Sequence, residues 1–126
     1  MAGKSFEQLR VYQLADMLAD QIRDMVQKWT ALARDTVGKQ IIKAADSIGA
    51  NIAEGYGRGS YQDNHRFVRM ARGSLYETRH WLRRAYQRKL LADTQTNAAT
   101  SAAPESVNDL IATTSDTALL GFGEGL

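Results

Sequence analysis

The sequence predicts an all-α fold, an antiparallel up-and-down four-helix bundle, and three observations point to it. Proline occurs once, at position 104, so no such breaker interrupts a helix over the first hundred residues. Apolar residues recur at steps of three and four through long windows, and the period-two alternation of a half-buried strand is scarce. Each window carries one apolar stripe too large to leave in water. Consecutive helices joined by short connections bury such stripes by packing antiparallel.

The first predicted helix spans residues 6–32. At about 100° per residue, Val11, Leu14, Leu18, Ile22, Met25, Trp29 and Leu32 share one side, and Asp16, Asp20, Asp24 and Lys28 lie mostly outside it. The second spans 35–54, where Val37, Ile41, Ala45, Ile48 and Ile52 make a narrow stripe. Gly55, just beyond it, reads as a helix terminator, because glycine takes a positive φ without steric cost. The third spans 61–91. Ser60 and Asp63 stand at capping-box spacing, with Asp replacing the usual Glu or Gln. Phe67, Ala71, Leu75, Thr78, Leu82 and Ala85 form its inner face, and Gly73 and Ser74 beside that face would admit a neighbouring backbone. A small, polar linker follows over 92–103. A weaker fourth helix is expected over 104–120, opened by Pro104 in its first turn, with Val107, Leu110, Ile111, Thr114 and Ala118 inward. Threonines at 113, 114 and 117 lower its propensity. The whole of 1–126 reads as one helical domain.

Composition bounds the role. At 44% hydrophobic and 24% charged, the chain is an ordinary globular sequence, and without cysteine it has neither disulfides nor thiolate metal ligands. No stretch approaches a membrane span and the opening residues lack a signal peptide's apolar run, so the cytoplasm is the expected compartment and a membrane is not an expected partner. The net charge of +2 hides an asymmetry. All sixteen Lys and Arg lie in residues 1–90 beside nine acids, whereas 91–126 carry five acids and no base.

The centre of the chain reads Ser47-Ile48-Gly49-Ala50-Asn51-Ile52-Ala53-Glu54-Gly55-Tyr56-Gly57-Arg58. This matches an SIxxNIAEGxGR pattern. The opening Phe6-Glu7-Gln8-Leu9-Arg10-Val11-Tyr12-Gln13, the segment Gln40-Ile41-Ile42-Lys43-Ala44-Ala45, and Ala71-Arg72-Gly73-Ser74-Leu75-Tyr76-Glu77 add further matches in the same order. Over residues 5–91 the chain closely resembles the four-helix-bundle family of S23 ribosomal proteins, encoded within intervening sequences of some bacterial 23S ribosomal RNA genes. The resemblance implies an up-down bundle assembled into a ring-shaped homopentamer, with no established enzymatic activity. It makes Ser47, Asn51, Ile52, Ala53, Glu54, Gly55, Gly57, Arg58, Gly73, Ser74 and Glu77 motif residues with a structural or interface role. Distant relatives include the accessory protein of diversity-generating retroelements, which partners a reverse transcriptase and binds nucleic acid. The Phe-Pro and Gly-Leu signals usual between the first two helices are missing from 30–39, and the tail beyond Leu91 is unlike the usual charged fourth helix.

Taken as chemistry, the motif is weak. Asn51 and Glu54 suit the satisfaction of polar groups at the end of the second helix, with Arg58 pairing with Glu54 or Glu77. Gly55, Gly57 and Gly59 make GxGxG followed by Ser60, not GxxxxGK[ST], and a helix precedes them, so a tight turn is expected and not a nucleotide loop. His65 and His80 lack the carboxylate or histidine neighbours of a metal motif, and the serines lack an evident base. No catalysis, metal or cofactor is expected.

Charge on the third helix is the clearest clue to a partner. Nine Lys and Arg lie between Arg58 and Lys89 against only Asp63 and Glu77. Arg69, Arg72, Arg79 and Arg83 share one face away from the apolar stripe, where they would repel one another unless acids, salt or a polyanion intervened. They either pair with Asp16, Asp20 and Asp24 as a solvated face or bind RNA or DNA phosphates. Trp81, Tyr76 and Tyr86 interleave with them and could stack bases, although for such large aromatics core or interface packing is the more ordinary use. Two functions follow: a nucleic-acid-binding homo-oligomer, or a scaffold or adaptor that binds a partner protein without nucleic acid.

Overall fold

The computed structural model describes residues 5–91, and these are helical with no strand among them. The predicted fourth helix and its linker lie outside the described residues. A single 3₁₀ turn, Phe6–Gln8, leads through an extended Leu9 into α1, Arg10–Gln27. α2 is continuous through Ala31–Ala33, a π turn at Arg34–Gly38, and Lys39–Tyr56. α3 is Tyr61–Gln87.

One core joins the three helices, and α2 lies at its centre: both α1 and α3 pack on it far more extensively than on each other. α1 and α2 are antiparallel. Gly38, early in α2, faces Val26 late in α1 and Trp29 just beyond its end, and Gly49 faces Tyr12 and Ala15 near the start of α1. The expected stripe of α2 is buried throughout, with Ile41, Ile48 and Ile52 fully enclosed. The π turn explains how its first half stays in line. Ala33, Val37, Ile41 and Ala45 recur every four residues, and each such step overshoots an ideal α-helix by about 40°. The wider turn at Arg34–Gly38 takes up the excess, so all four remain buried.

Three expectations are corrected. The first helix does not run through to 32: it ends at Gln27, and a new one starts after an extended Thr30. Trp29 is buried at that corner while Leu32, placed on the new helix, is 77% exposed and no part of the core. The second helix begins at Ala31 rather than 35 and continues through Gly55 to Tyr56, and no described glycine has a positive φ. Gly55 serves packing instead. A Cβ there would sit 2.8 Å from Phe67 Cβ and 3.2 Å from the Asn64 carbonyl oxygen, so its absence lets α3 close on α2. Gly73 is the reverse case: it is exposed, and among the described residues nothing would come within 4 Å of a Cβ there and no neighbouring backbone uses the gap.

α3 also stops short of 91. Its end is a Schellman motif, in which the Leu90 amide donates to the Ala85 carbonyl and the Lys89 amide to that of Tyr86, both at 3.0 Å. Lys89 occupies the left-handed position (φ 59°) that glycine usually fills.

Candidate nucleic-acid interface

α3 presents the candidate site, and its start is well determined. Ser60 Oγ accepts a 3.1 Å hydrogen bond from the Asp63 amide, half of the expected capping box. The Asp63 carboxylate does not complete the box but pairs with Arg66 at 3.7 Å, one turn on. Phe67, Ala71, Leu75, Thr78, Leu82 and Ala85 are all buried as expected, and the Thr78 hydroxyl is satisfied by the Ser74 carbonyl at 2.8 Å. Val68 and Asn64 extend this inner face beyond what the periodicity indicated. Asn64 is 2% exposed, and neither polar atom of its side-chain amide has a hydrogen-bond partner among the described residues. A buried orphan of this kind costs on the order of 1–3 kcal/mol.

With that face inward, the arginines point out. Arg69, Arg79 and Arg83 are exposed and Arg72 is half-buried. The ion pairs among the described residues are Arg34–Asp35, Arg58–Glu54 and Arg66–Asp63, so Arg69, Arg79 and Arg83 have no part in any of them. Asp16, Asp20 and Asp24 lie on α1 and do not neutralise these three cations. Arg79 lies over the Tyr76 ring at 5.6 Å. Of the three aromatics that interleave with the arginines, Trp81 turns away: it packs half-buried on the core, its indole N–H donating to Glu77 at 3.2 Å. Tyr76 and Tyr86 are exposed beside the arginines.

The motif residues from Ser47 to Arg58 gather elsewhere, along the second half of α2 and the turn into α3, whereas Gly73, Ser74 and Glu77 lie on α3 itself. Ser47 Oγ donates to the Lys43 carbonyl and Asn51 Nδ2 to the Ser47 carbonyl, both at 2.8 Å, so each side chain bonds its own helix. Ile52 is fully buried. Arg58 pairs with Glu54 at 3.1 Å and not with Glu77, and both side chains are about half exposed, a geometry worth only a few tenths of a kcal/mol (about 0.3–0.5). Arg58 and Arg66 both stack on Phe67, 4.9 and 4.6 Å from its centroid, so one aromatic ring ties down the turn. Gly57 caps α2 and makes no close approach. Each of these contacts is made within the fold, as packing, a hydrogen bond to the residue's own helix, or a local ion pair.

A shallow groove of about 280 Å³ lies between α1 and α2, floored by Ala15, Ala19, Ala45 and Gly49 and edged by Asp16 and Asp46. Tyr12 borders it, edge-on to Phe6 at 5.0 Å. Burial, and then the carboxylates of Asp16 and Glu7, push the Tyr12 phenol above its usual range, so it remains a protonated donor. Among the described residues no group of His, Asp or Glu is arranged to hold a metal, and no helix is long and apolar enough to cross a membrane.

The helical pattern and the motif along α2 agree with a family-level comparison: the model of the 23S rRNA-intervening sequence protein family matches residues 7–112. The chain belongs to that family. No curated protein matches it. The match spans all three described helices, so the α3 arginines belong to the family domain and are not an appendage to it.

Proposed function

We propose that this member of the 23S rRNA-intervening sequence protein family is a non-catalytic, oligomeric four-helix-bundle protein of the cytoplasm that binds RNA or DNA through phosphate contacts along α3. The carrying observation is that Arg69, Arg79 and Arg83 stand exposed on one helix with no acid paired to them among the described residues. Cations set at helical spacing, without internal neutralisation, lower their mutual repulsion by taking up a polyanion. Arginine suits phosphate better than lysine does, because its planar fork donates two hydrogen bonds at once.

Such binding is indifferent to base sequence and steeply dependent on salt. The slope of log K against log salt is about −0.7 per phosphate contact on a single strand, so three or four contacts give roughly −2 to −3 per subunit engaged. A salt titration against unrelated RNA and DNA strands measures it. No binding at low salt, or a slope near zero, would hand the role to the adaptor reading, in which the acid-edged groove between α1 and α2 receives a partner protein.

The proposed assembly is a homopentamer, as the family resemblance implies. Exposed Met17, Leu32 and Met70 supply apolar surface that neighbouring copies would cover. Light scattering at micromolar concentration should report a mass several times 14.0 kDa, and a single species at 14.0 kDa would rule the assembly out.

A further inference from the structure

The arginines are only half of a longer pattern. Reading along α3, positions 61, 65, 69, 72, 76, 79, 83 and 86 follow steps of four, four, three, four, three, four and three, and they hold Tyr, His, Arg, Arg, Tyr, Arg, Arg and Tyr. At about 100° per residue all eight fall within a band roughly 100° wide, and the band is about 38 Å long. None of the eight is buried: Tyr61, Tyr76 and Tyr86 are 51%, 47% and 43% exposed. Tyr61 and His65 stack on each other at 5.9 Å, and Arg79 covers Tyr76. Every position is a cation or a ring with a polar edge, and the one aliphatic side chain in the same band, Val68 at its margin, is buried against the core. A seam meant for another helix needs apolar residues at this spacing, and two copies of this row placed face to face would set arginine against arginine.

We infer that this row is a track for single-stranded nucleic acid, with Tyr61, Tyr76 and Tyr86 as stacking platforms for unpaired bases between arginines that hold the phosphates. The inference rests on the nucleic-acid reading above and adds the class of ligand. Phosphate contacts alone do not distinguish a single strand from a duplex. Rings do, because the bases of a duplex are stacked on one another and present no open face, whereas each base of a single strand does. Stacking also tolerates any base, in keeping with binding that ignores sequence.

The test compares oligo(dT), oligo(U) and a mixed-sequence duplex of equal length by fluorescence anisotropy at low salt. It uses the full chain, a Tyr61→Leu/Tyr76→Leu/Tyr86→Leu variant, the corresponding Tyr→Phe variant, and an Arg79→Glu/Arg83→Glu variant. Circular dichroism and the assembled mass are checked for each. The expected result is tighter binding of both single strands than of the duplex. Single-strand affinity should fall by about tenfold for each tyrosine converted to leucine and stay close to wild type in the phenylalanine variant, with the duplex affected little by either. If duplex and single strands bind alike and the leucine variant is unchanged while the glutamate variant loses binding, the track is wrong and the phosphate-binding reading stands. If nothing binds at low salt, both fall. If the tyrosine variants keep their helicity but change the assembled mass, the row is a contact between copies and the track is overturned.

Discussion

Replacing Arg79 and Arg83 together by glutamate should remove most nucleic-acid binding and leave the helices intact. The two lie one turn apart on α3, both exposed and neither in an ion pair among the described residues. Within the fold the substitution gives up the stacking of Arg79 on the exposed Tyr76 ring, and glutamate is nearly as good a helix former as arginine. A charge-assisted hydrogen bond is worth about 1.5–3 kcal/mol, so removing two weakens binding by about a hundredfold or more, before repulsion from the new carboxylates is added. The salt dependence should flatten by about 0.7 for each phosphate that a single strand no longer has neutralised. In a ring the row repeats around the assembly, and the effect is magnified because avidity depends on every subunit. Anisotropy titrations across a salt series, with circular dichroism as the control for folding, measure all of this. A variant that binds as well as the parent would return these arginines to the role of a solvated face.

Gly55→Ala should be among the more damaging single-methyl changes in the chain, and Gly73→Ala should do the opposite. Both glycines are helical, so alanine gains about 0.5–1 kcal/mol of backbone entropy at each. At Gly55 that gain is overtaken. The added Cβ meets Phe67 Cβ at 2.8 Å and the Asn64 carbonyl at 3.2 Å, neither of which is the far end of a flexible side chain, so α2 and α3 must separate. Overpacking of this kind costs about 1–3 kcal/mol. At Gly73 nothing lies within 4 Å and the entropic gain is kept. Thermal melts of the two variants should move in opposite directions from the parent, Gly55→Ala downward by several degrees and Gly73→Ala upward by less. A neutral Gly55→Ala would mean that α2 and α3 pack more loosely than these distances require.

These glycines show where local reasoning from sequence stops. Every inner residue that periodicity names for α2 and α3 is buried, because a buried stripe leaves a 3.6-residue signature whatever it packs against, although Ala33, Asn64 and Val68 join it unannounced. The ends of the helices are less legible. In Lys28-Trp29-Thr30 the break carries one weak sign, a threonine at the N-cap position of the next helix whose side chain makes no capping bond, and Trp29 is buried at the corner. Glycine is the usual sign of a left-handed helix end, and with Lys89 in that position the sequence hides the end of α3. Gly55 looks like a terminator in sequence because its real neighbour, Phe67, is twelve residues away. At the candidate site the spacing of the arginines is enough to place them on one face, whereas nothing in the sequence tells a stacking tyrosine from a packing one. Trp81 lies on another side of the helix from Tyr76 and Tyr86 and is half-buried on the core, where those two are exposed. Tyr61 and His65 join the row because the helix begins at Tyr61.

The π turn at Arg34–Gly38 uncouples the length of the chain from the direction in which α1 is carried. It holds one residue more than the same stretch of α-helix would, so the surplus is stored inside an element instead of in a loop. Deleting a single exposed residue there, among positions 34–36, would let the turn relax to α geometry with the segments on either side still in phase, whereas the same deletion in regular α-helix would turn everything before it by about 100° around the helix axis. The rest of α2 and α3, with the Phe67 clamp and the row of arginines and tyrosines, would keep its shape either way. A one-residue deletion at this one place would therefore leave α1, and with it the acid-edged groove, aimed as before.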